Sequence, residues 1–221
     1  PEGHINGVDI EMEKITQKFE HHRDIAFLPN FKTFDIEQRF VKYEHQEYET
    51  KKTFAAVDLG QQILSIQGKL TGEDRALGSL IQYRKFVAGG FYWTPDTDEI
   101  NISIFGFREK EFNFITVQAS TRLEFLTIKP ETATLSSVNI NQDQIKERNF
   151  YYGSYALSFF KNWQNWKMSS SFMLLQRAPG IEDMFSDGPH LGSYSYEIGE
   201  PTLDLELTQG MEISIGYQKN K

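Results

Sequence analysis

The sequence has no cysteine among its 221 residues and no long apolar run. Its longest uninterrupted apolar stretches, such as residues 172–175, are far shorter than the roughly 20 residues that a membrane helix requires. A helical membrane protein is therefore excluded. The absence of cysteine also excludes a disulfide framework and thiolate metal sites, although it does not fix the cellular compartment.

Positive charge is also scarce, with 23 basic residues against 31 acidic ones and a net charge of −8. The basic residues are scattered, whereas a nucleic-acid-binding protein normally shows a basic face. The sequence therefore argues against nucleic acid as a partner. The acidic balance is compatible with a cationic ligand, and a solvated surface is its simpler explanation. Aromatic residues make up 14% of the chain, which excludes a disordered composition.

The dominant pattern is alternation with period two, which is typical of a strand with two unlike faces. It is clearest between residues 203 and 217, where the odd positions are apolar except Gln209 and the even positions are polar or glycine. We predict one continuous strand of at least twelve residues here, with Leu205, Met211 and Ile213 facing outward. Strands in small globular domains are usually much shorter, about 5–6 residues.

The same alternation recurs in residues 99–107, 113–125, 150–161 and 166–177, and more weakly in 4–12, 34–45, 61–70 and 77–87. Short polar connectors separate some of these segments, and longer stretches at 13–33, 129–147 and 177–200 interrupt the pattern. This organisation predicts an all-β chain, residues 1–221, that forms one antiparallel up-and-down meander of about eight to ten strands. Tight turns are expected at one end and large loops at the other.

Two architectures accommodate such strands, a transmembrane β-barrel and a soluble β-sandwich. In lipid, a closed barrel pairs every backbone amide internally, so half-apolar strands cross the bilayer without a continuous hydrophobic run. A mean hydropathy of −0.50 is compatible with that arrangement. Strand length and the aromatic residues near strand ends favour the barrel. A sandwich would require strands of five to seven residues and a dry core, and a complete small barrel acting as a pore or adhesin would require its first and last strands to pair.

One long segment resembles a known family. From Arg177 the chain continues Ala-Pro-Gly-Ile-Glu-Asp-Met-Phe-Ser-Asp-Gly-Pro-His-Leu, and residues 194–206 are Tyr-Ser-Tyr-Glu-Ile-Gly-Glu-Pro-Thr-Leu-Asp-Leu-Glu. This string is similar to the barrel of TonB-dependent outer-membrane receptors, in which an Arg-Ala-Pro segment ends a strand and a Tyr-Glu-x-Gly-x-Pro-x-Leu segment precedes the next. The Ala-Phe-Leu-Pro-Asn segment at residues 26–30 also resembles a segment found in some members, including a zinc-uptake branch.

The resemblance implies a fold, a location and partners. It implies an internal fragment of a transmembrane barrel of 22 strands in the outer membrane of a Gram-negative bacterium, without the plug domain and signal peptide of intact members. The expected partners are outer-membrane lipid, a transported ligand, and TonB acting through the missing plug region. The expected ligand is an iron-siderophore chelate, with zinc as the alternative. The protein would be a transporter and not an enzyme, with no resident cofactor.

The residues offer no convincing nucleophile constellation and no phosphate-binding glycine loop. Metal ligation is the sharper hypothesis, because imidazole and carboxylate groups suit zinc. The candidate metal ligands are His190, Asp187, His21 and His22, with the two adjacent histidines expected in a long loop. The candidate ligand-binding residues of the other predicted loop are Arg177, Asp187, His190, Tyr194, Tyr196 and Glu197. For the histidines, local hydrogen bonding is the simpler explanation, and for Arg177 a structural charge at the barrel mouth.

Overall fold

The computed structural model describes residues 7–49, 53–91, 93–132, 137–190 and 195–218. Nine strands form one antiparallel sheet in which chain neighbours are also spatial neighbours, except that β8 pairs with β11. The strands are β1 (Val8–Asp24), β2 (Thr33–Glu49), β3 (Val57–Thr71), β4 (Arg75–Gly90), β5 (Thr97–Phe112), β6 (Ile115–Pro130), β7 (Arg148–Trp163), β8 (Trp166–Arg177) and β11 (Glu206–Tyr217).

The connection between β8 and β11 carries further structure and is called here the mouth segment, residues 178–205. It contains helix α1 (Ile181–Phe185) and a separate two-stranded sheet of β9 (Asp187–His190) and β10 (Ser195–Ile198). A short 3₁₀-helix (Gln142–Gln144) lies in the connection between β6 and β7. Within the described ranges, no helix is long and apolar enough to cross a membrane.

The two ends of the sheet differ in their connections. At one end, the short-turn end, only two residues separate β5 from β6 and β7 from β8. At the other, the long-loop end, the β6–β7 connection and the mouth segment extend over many more residues. The positive φ of Gln164 (52°) supports the tight turn between β7 and β8. The asymmetry agrees with the predicted meander from β3 to β8, whereas the β1–β2 connection at the short-turn end, residues 25–32, is longer than the predicted tight turns.

One face of the sheet, the apolar face, carries continuous ladders of exposed hydrophobic side chains. Cross-strand partners share a face, so the register defines each ladder. The central ladder pairs successive partners from β3 to β7, namely Ile66, Ile81, Ile102, Phe125 and Tyr151. The isoleucines and Tyr151 are exposed although they are large and hydrophobic. Such a continuous uncovered apolar face is not what a water-exposed sheet would present.

The opposite face, the polar face, carries ion pairs and hydrogen bonds. Ser158 and Ser171 on β7 and β8 share a hydrogen bond of 2.8 Å between their hydroxyl oxygens. Further pairs on this face are Arg84–Glu99 at 3.7 Å and Arg122–Glu124 at 3.1 Å. Several buried polar atoms here, including Ser103 Oγ and Asn101 Oδ1, lack a protein partner. These atoms are the kind that ordered water satisfies, so this face is suited to a wet interior.

The main hydrophobic core lies where the mouth segment covers the polar face near the long-loop end. Ile181, Met184 and Phe185 of α1 pack there against apolar residues at the ends of the strands and in the β6–β7 connection, which are Phe86, Leu126, Ile128, Ile140, Ile145 and Phe150. Arg148 fixes the end of the segment by donating hydrogen bonds to the carbonyl oxygens of Pro201 and, at 2.9 Å, Leu203. The mouth segment is therefore folded onto the sheet.

The sheet confirms the predicted all-β up-and-down architecture, and its nine strands lie within the expected eight to ten. In the described part of the chain, β1 and β11 are the two edge strands of an open sheet, as expected for part of a larger barrel. The nine strands of the main sheet have 12 to 17 residues and form a single layer, so the sandwich alternative is wrong.

Two details of the sequence prediction require correction. Strand β11 begins at Glu206 and has twelve residues; Met211 and Ile213 are exposed on the apolar face as predicted, but Leu205 precedes the strand and packs against the core. The expected long loop at 13–33 is wrong, because β1 continues to Asp24. The alternation of β1 changes phase, because Met12 lies on the polar face and Ile15 lies on the apolar face. The sequence pattern therefore does not indicate one continuous strand here.

Candidate functional site

The mouth segment carries the described candidates Asp187, His190, Tyr196 and Glu197, and Arg177 lies just before it as the last residue of β8. Helix α1 forms because Ile181, Met184 and Phe185 have the i, i+3, i+4 spacing that places them on one helical side. The carboxylate of Asp183 accepts a hydrogen bond of 2.8 Å from the backbone N–H of Gly180 and so caps the helix start. Burial of the apolar side of α1 then holds the β9–β10 hairpin above the polar face.

Asp187, the first residue of β9, is a hub that joins three segments. Its Oδ2 accepts hydrogen bonds from Ser137 Oγ (2.7 Å) and from the backbone N–H groups of Val138 (3.0 Å) and Asn139 (3.1 Å). Its Oδ1 accepts from Asn139 Nδ2 (2.7 Å) and the Tyr196 hydroxyl (3.0 Å). Its backbone pairs with Trp93 in the β4–β5 connection. Asp187 therefore clamps the hairpin to the β6–β7 and β4–β5 connections.

The electrostatics of Asp187 follow from this arrangement. Burial alone acts to raise the pKa of the carboxyl, but the hydrogen bonds from Asn139, Ser137 and Tyr196 outweigh it and hold the pKa well below its usual value. The carboxylate is thus charged at all physiological pH values. Because five donors already occupy its two oxygens, the geometry assigns Asp187 a structural function more readily than metal ligation.

His190, at the other end of β9, contacts the sheet itself. Its Nε2 lies 3.4 Å from Oε1 of Glu47, a side chain that is 1% exposed, and its Nδ1 lies 3.7 Å from Oε1 of Glu197 on β10. The same Glu47 oxygen lies 2.9 Å from His45 Nε2, and His45 Nδ1 lies 3.1 Å from the Tyr43 hydroxyl. We call Tyr43, His45, Glu47, His190 and Glu197 the His–Glu chain.

A pocket of about 250 Å³ opens beside the His–Glu chain. Its lining includes Tyr43, His45 and His190 together with Arg84 and Glu182. Partial desolvation raises the pKa of Glu182 although its side chain is exposed, and the nearby Arg84 guanidinium acts in the opposite direction. This mixture of imidazole, phenol, guanidinium and carboxyl groups can donate and accept hydrogen bonds to a polar ligand.

A larger opening of about 720 Å³ lies on the far side of the mouth segment. It brings together two predicted residues, Arg177 and Glu197, within an acid-rich lining that also includes Glu182, Asp183, Glu200, Asp204 and Glu206. Arg177, the last residue of β8, makes an exposed ion pair of 2.9 Å with Glu206 at the start of β11. The ion pair joins the two side chains of the first residue pair in the β8–β11 register.

The structure does not bring the four candidate metal ligands together. His21 and His22 lie on β1 near the short-turn end and alternate between the two faces, with His22 Nδ1 2.6 Å from Asp35 Oδ1. Asp35 and Glu47 are twelve positions apart on β2, so His22 lies about 40 Å along the strand from the His–Glu chain. Among the residues that the structure describes, no group of three or more His, Cys, Asp or Glu side chains could hold a metal ion. Tyr194 lies outside the described residues.

Sequence reasoning missed the contribution of the sheet to this site. Tyr43, His45 and Glu47 occupy alternate positions of β2 and therefore share the polar face beneath His190. Their i, i+2, i+4 spacing in a predicted strand was the available signal. Ser137 and Asn139, which donate hydrogen bonds to Asp187, lie in the irregular β6–β7 connection about 50 residues away. No local sequence pattern predicts these contacts.

No family model matches the sequence, and no curated protein matches it. Solved structures do match the fold. The hemophore receptor HasR of Serratia marcescens, in complex with its hemophore HasA and heme, superposes with a TM-score of 0.72 at 11% identity over 97% of this chain. The copper transporter OprC gives a TM-score of 0.71 at 10% identity over 97% of this chain. The chain spans 38% of the length of each, so the shared fold is that of part of a larger protein.

Proposed function

We propose that this chain is part of the barrel of a TonB-dependent receptor in the outer membrane of a Gram-negative bacterium. The intact protein imports a scarce metal as its chelate, and TonB energises the import through a plug region. The observation that carries this proposal is the division of one continuous nine-stranded sheet into an uncovered apolar face and a polar face. No covalent reaction is part of this function.

The height of the apolar face supports the membrane placement. On β5 the apolar face carries isoleucines at positions 100, 102 and 104 between the charged residues Asp98 and Arg108. Ten residues of strand extend about 33 Å, and a strand tilt of about 40° reduces this to roughly 25 Å along the membrane normal. That height agrees with the apolar band of outer-membrane barrels, about 25 Å.

The orientation follows from the connections. Outer-membrane barrels have short turns toward the periplasm and longer loops toward the outside. The long-loop end, with the mouth segment and its two pockets, therefore faces the environment and meets the ligand first. Aromatic side chains at the short-turn end, Phe112, Trp163, Trp166 and Tyr217, are exposed at the level of the periplasmic membrane interface.

The chemistry of the mouth segment favours a metal chelate over a bare metal ion as the cargo. The described residues offer no three-ligand cluster for a bare ion, whereas the pocket beside the His–Glu chain offers hydrogen-bonding groups of several types. We therefore propose a metal chelate, with an iron-siderophore as the first candidate. The likeness to a heme–hemophore receptor and a copper transporter supports metal-related uptake in general. Zinc uptake is the second candidate, favoured by the two imidazoles directed at one Glu47 oxygen.

The test is uptake by the intact receptor. The full-length gene is expressed in a Gram-negative strain that lacks its own siderophore receptors, with and without TonB, and radioactive iron is supplied as a panel of ferric siderophores, beside radioactive zinc in parallel cultures. We expect accumulation of one ferric siderophore that disappears without TonB. Accumulation of zinc alone would select the second candidate, and accumulation that persists without TonB would overturn the proposal.

A further inference from the structure

The apolar face carries a row of cations at its short-turn end. Arg75 and Arg108 are cross-strand partners, and Arg108 also pairs with Ala119 of the apolar face. Lys161 pairs with Met168, and Arg23 pairs with Phe34, on the same face. Together with Lys110, two positions beyond Arg108, these side chains form what we call the cationic border: Arg23, Arg75, Arg108, Lys110 and Lys161.

No described acidic residue accompanies them in the short-turn half of that face. In the half of each described strand nearer the short turns, the apolar face holds no Asp or Glu. In the β3–β4 turn, Glu73 pairs with Lys32, and Asp74 accepts a hydrogen bond of 2.7 Å from Arg75 Nε. Arg108 Nε lies 4.0 Å from Asp74, at the limit of an ion pair.

Three members of the cationic border are electrostatically uncompensated. Arg23, Lys110 and Lys161 make no ion pair with any carboxylate that the structure describes, and all three are exposed. Lys110 Nζ lies 5.1 Å from the ring centre of Phe112, so its charge is held at the level of the aromatic side chains of the interface.

The opposite border of the same face has the opposite charge balance. In the half of each strand nearer the long loops, acidic side chains outnumber basic ones on the apolar face. The acids are Asp9, Glu11, Glu13, Glu44, Asp58 and Asp98, and the bases are Lys42, Lys85 and Lys129. Lys42 is also paired with Glu44 at 2.6 Å. The two borders of the apolar band therefore differ in charge, because one is basic and the other is mainly acidic.

We propose that the cationic border binds the phosphates of anionic phospholipid headgroups in the leaflet that meets the short turns. This inference rests on the membrane placement proposed above and adds a lipid partner to it. The charge of the border complements an anionic phosphate, and its position at the edge of the apolar band places the cations at headgroup depth. A Lys or Arg near an anionic membrane surface changes binding by about fivefold.

The test measures which lipids the full-length chain retains. The protein is reconstituted in nanodiscs of equal phosphatidylglycerol and phosphatidylcholine, released gently, and its bound lipids are counted by native mass spectrometry. The test variant combines Arg23→Gln, Lys110→Gln and Lys161→Gln. The matched control combines Lys42→Gln, Lys85→Gln and Lys129→Gln, which removes the same charge from the same face at the other border.

We expect the unmodified protein and the control to retain phosphatidylglycerol in preference to phosphatidylcholine. The test variant should lose that preference by about fivefold or more. An equal loss in both variants, or no preference in the unmodified protein, would overturn the inference while leaving the membrane placement intact. Failure of the unmodified protein to retain any lipid would overturn the membrane placement and the inference together.

Discussion

Glu47 and His190 meet at 3.4 Å, between Oε1 of a sheet residue and Nε2 of a mouth-segment residue that is 143 positions away in the sequence. Glu47 is buried and also contacts His45 at 2.9 Å. The contact therefore fastens the β9 end of the mouth segment to β2. Removing the charge at this point tests whether the His–Glu chain holds the mouth segment in place.

The substitution Glu47→Gln should loosen the β9–β10 hairpin. An amide retains hydrogen bonding but not the charge, so we expect a loss of about 1–3 kcal/mol in local stability. The measurement is hydrogen exchange of residues 181–198 in the full-length protein, with Glu44→Gln as the control because Glu44 lies on the opposite face of β2. Unchanged exchange in Glu47→Gln would contradict a fastening function for this contact.

Substitution of Asp187 should destabilise the mouth segment more than substitution of Glu47. Asp187→Ala leaves five donors without their acceptor, which should cost about 3 kcal/mol or more. Thermal unfolding of the mouth segment, followed by protease sensitivity, measures the loss. Asp204→Ala is the matched control, since Asp204 is an almost fully exposed acid of the same segment. Equal protease sensitivity of the two variants would show that the hub does not hold the segment.

The Asp187 carboxylate should make the mouth segment less stable at acidic pH. Because the folded-state pKa of Asp187 lies well below the unfolded value of 3.8, the unfolded state binds more protons between the two values. The stabilisation is therefore fully present above pH 3.8 and is lost as the pH falls toward the folded-state pKa. Asp187→Asn should remove this acid dependence. Sensitivity to an acid-stable protease between about pH 5 and pH 2 provides the measurement, and an unchanged acid profile would contradict the assignment.

Glu182 should change the stability of the mouth segment with pH in the direction opposite to that of Asp187. Although the side chain is exposed, partial desolvation raises its pKa above the ordinary 4.5. The folded state therefore binds more protons, and the small contribution of Glu182 to stability falls as the pH rises from 4.5 through the folded-state pKa. Glu182→Gln should therefore raise the unfolding temperature of the mouth segment at pH 7, and the gain should vanish below pH 4.5. A loss at pH 7 would indicate that attraction to Arg84 outweighs the cost of burial.

The sequence was sufficient for the sheet but not for the contacts at the mouth. Alternation identified β11 because Met211, Ile213 and Ile215 keep one phase throughout the strand. It failed for β1, where the apolar positions change phase between Met12 and Ile15, and so placed His21 and His22 in a loop. An alternation of period two reveals only which face of the sheet each residue occupies. When the phase of the alternation changes within a strand, the strand is no longer recognisable from the pattern.

The family resemblance found the mouth segment but not its partners. His190 meets Glu47, and Asp187 meets Asn139, through chain reversals that span tens of residues. Such contacts depend on how a connection folds over the sheet, which local propensity does not encode. The cationic border is different, because its charges could be assigned to a face once the register was known.

The most direct test of the account is the environment of successive positions on β5 in the intact receptor. Single cysteines at residues 99 to 107 carry spin labels, which is practical because this chain has no cysteine. The protein is placed in bilayers, and collisions with oxygen and with a water-soluble nickel chelate are measured. The account predicts lipid contact at Ile100, Ile102 and Ile104 and water or protein contact at Glu99, Asn101 and Ser103. Loss of this alternation, or nickel access at all six positions, would contradict a lipid-facing barrel wall.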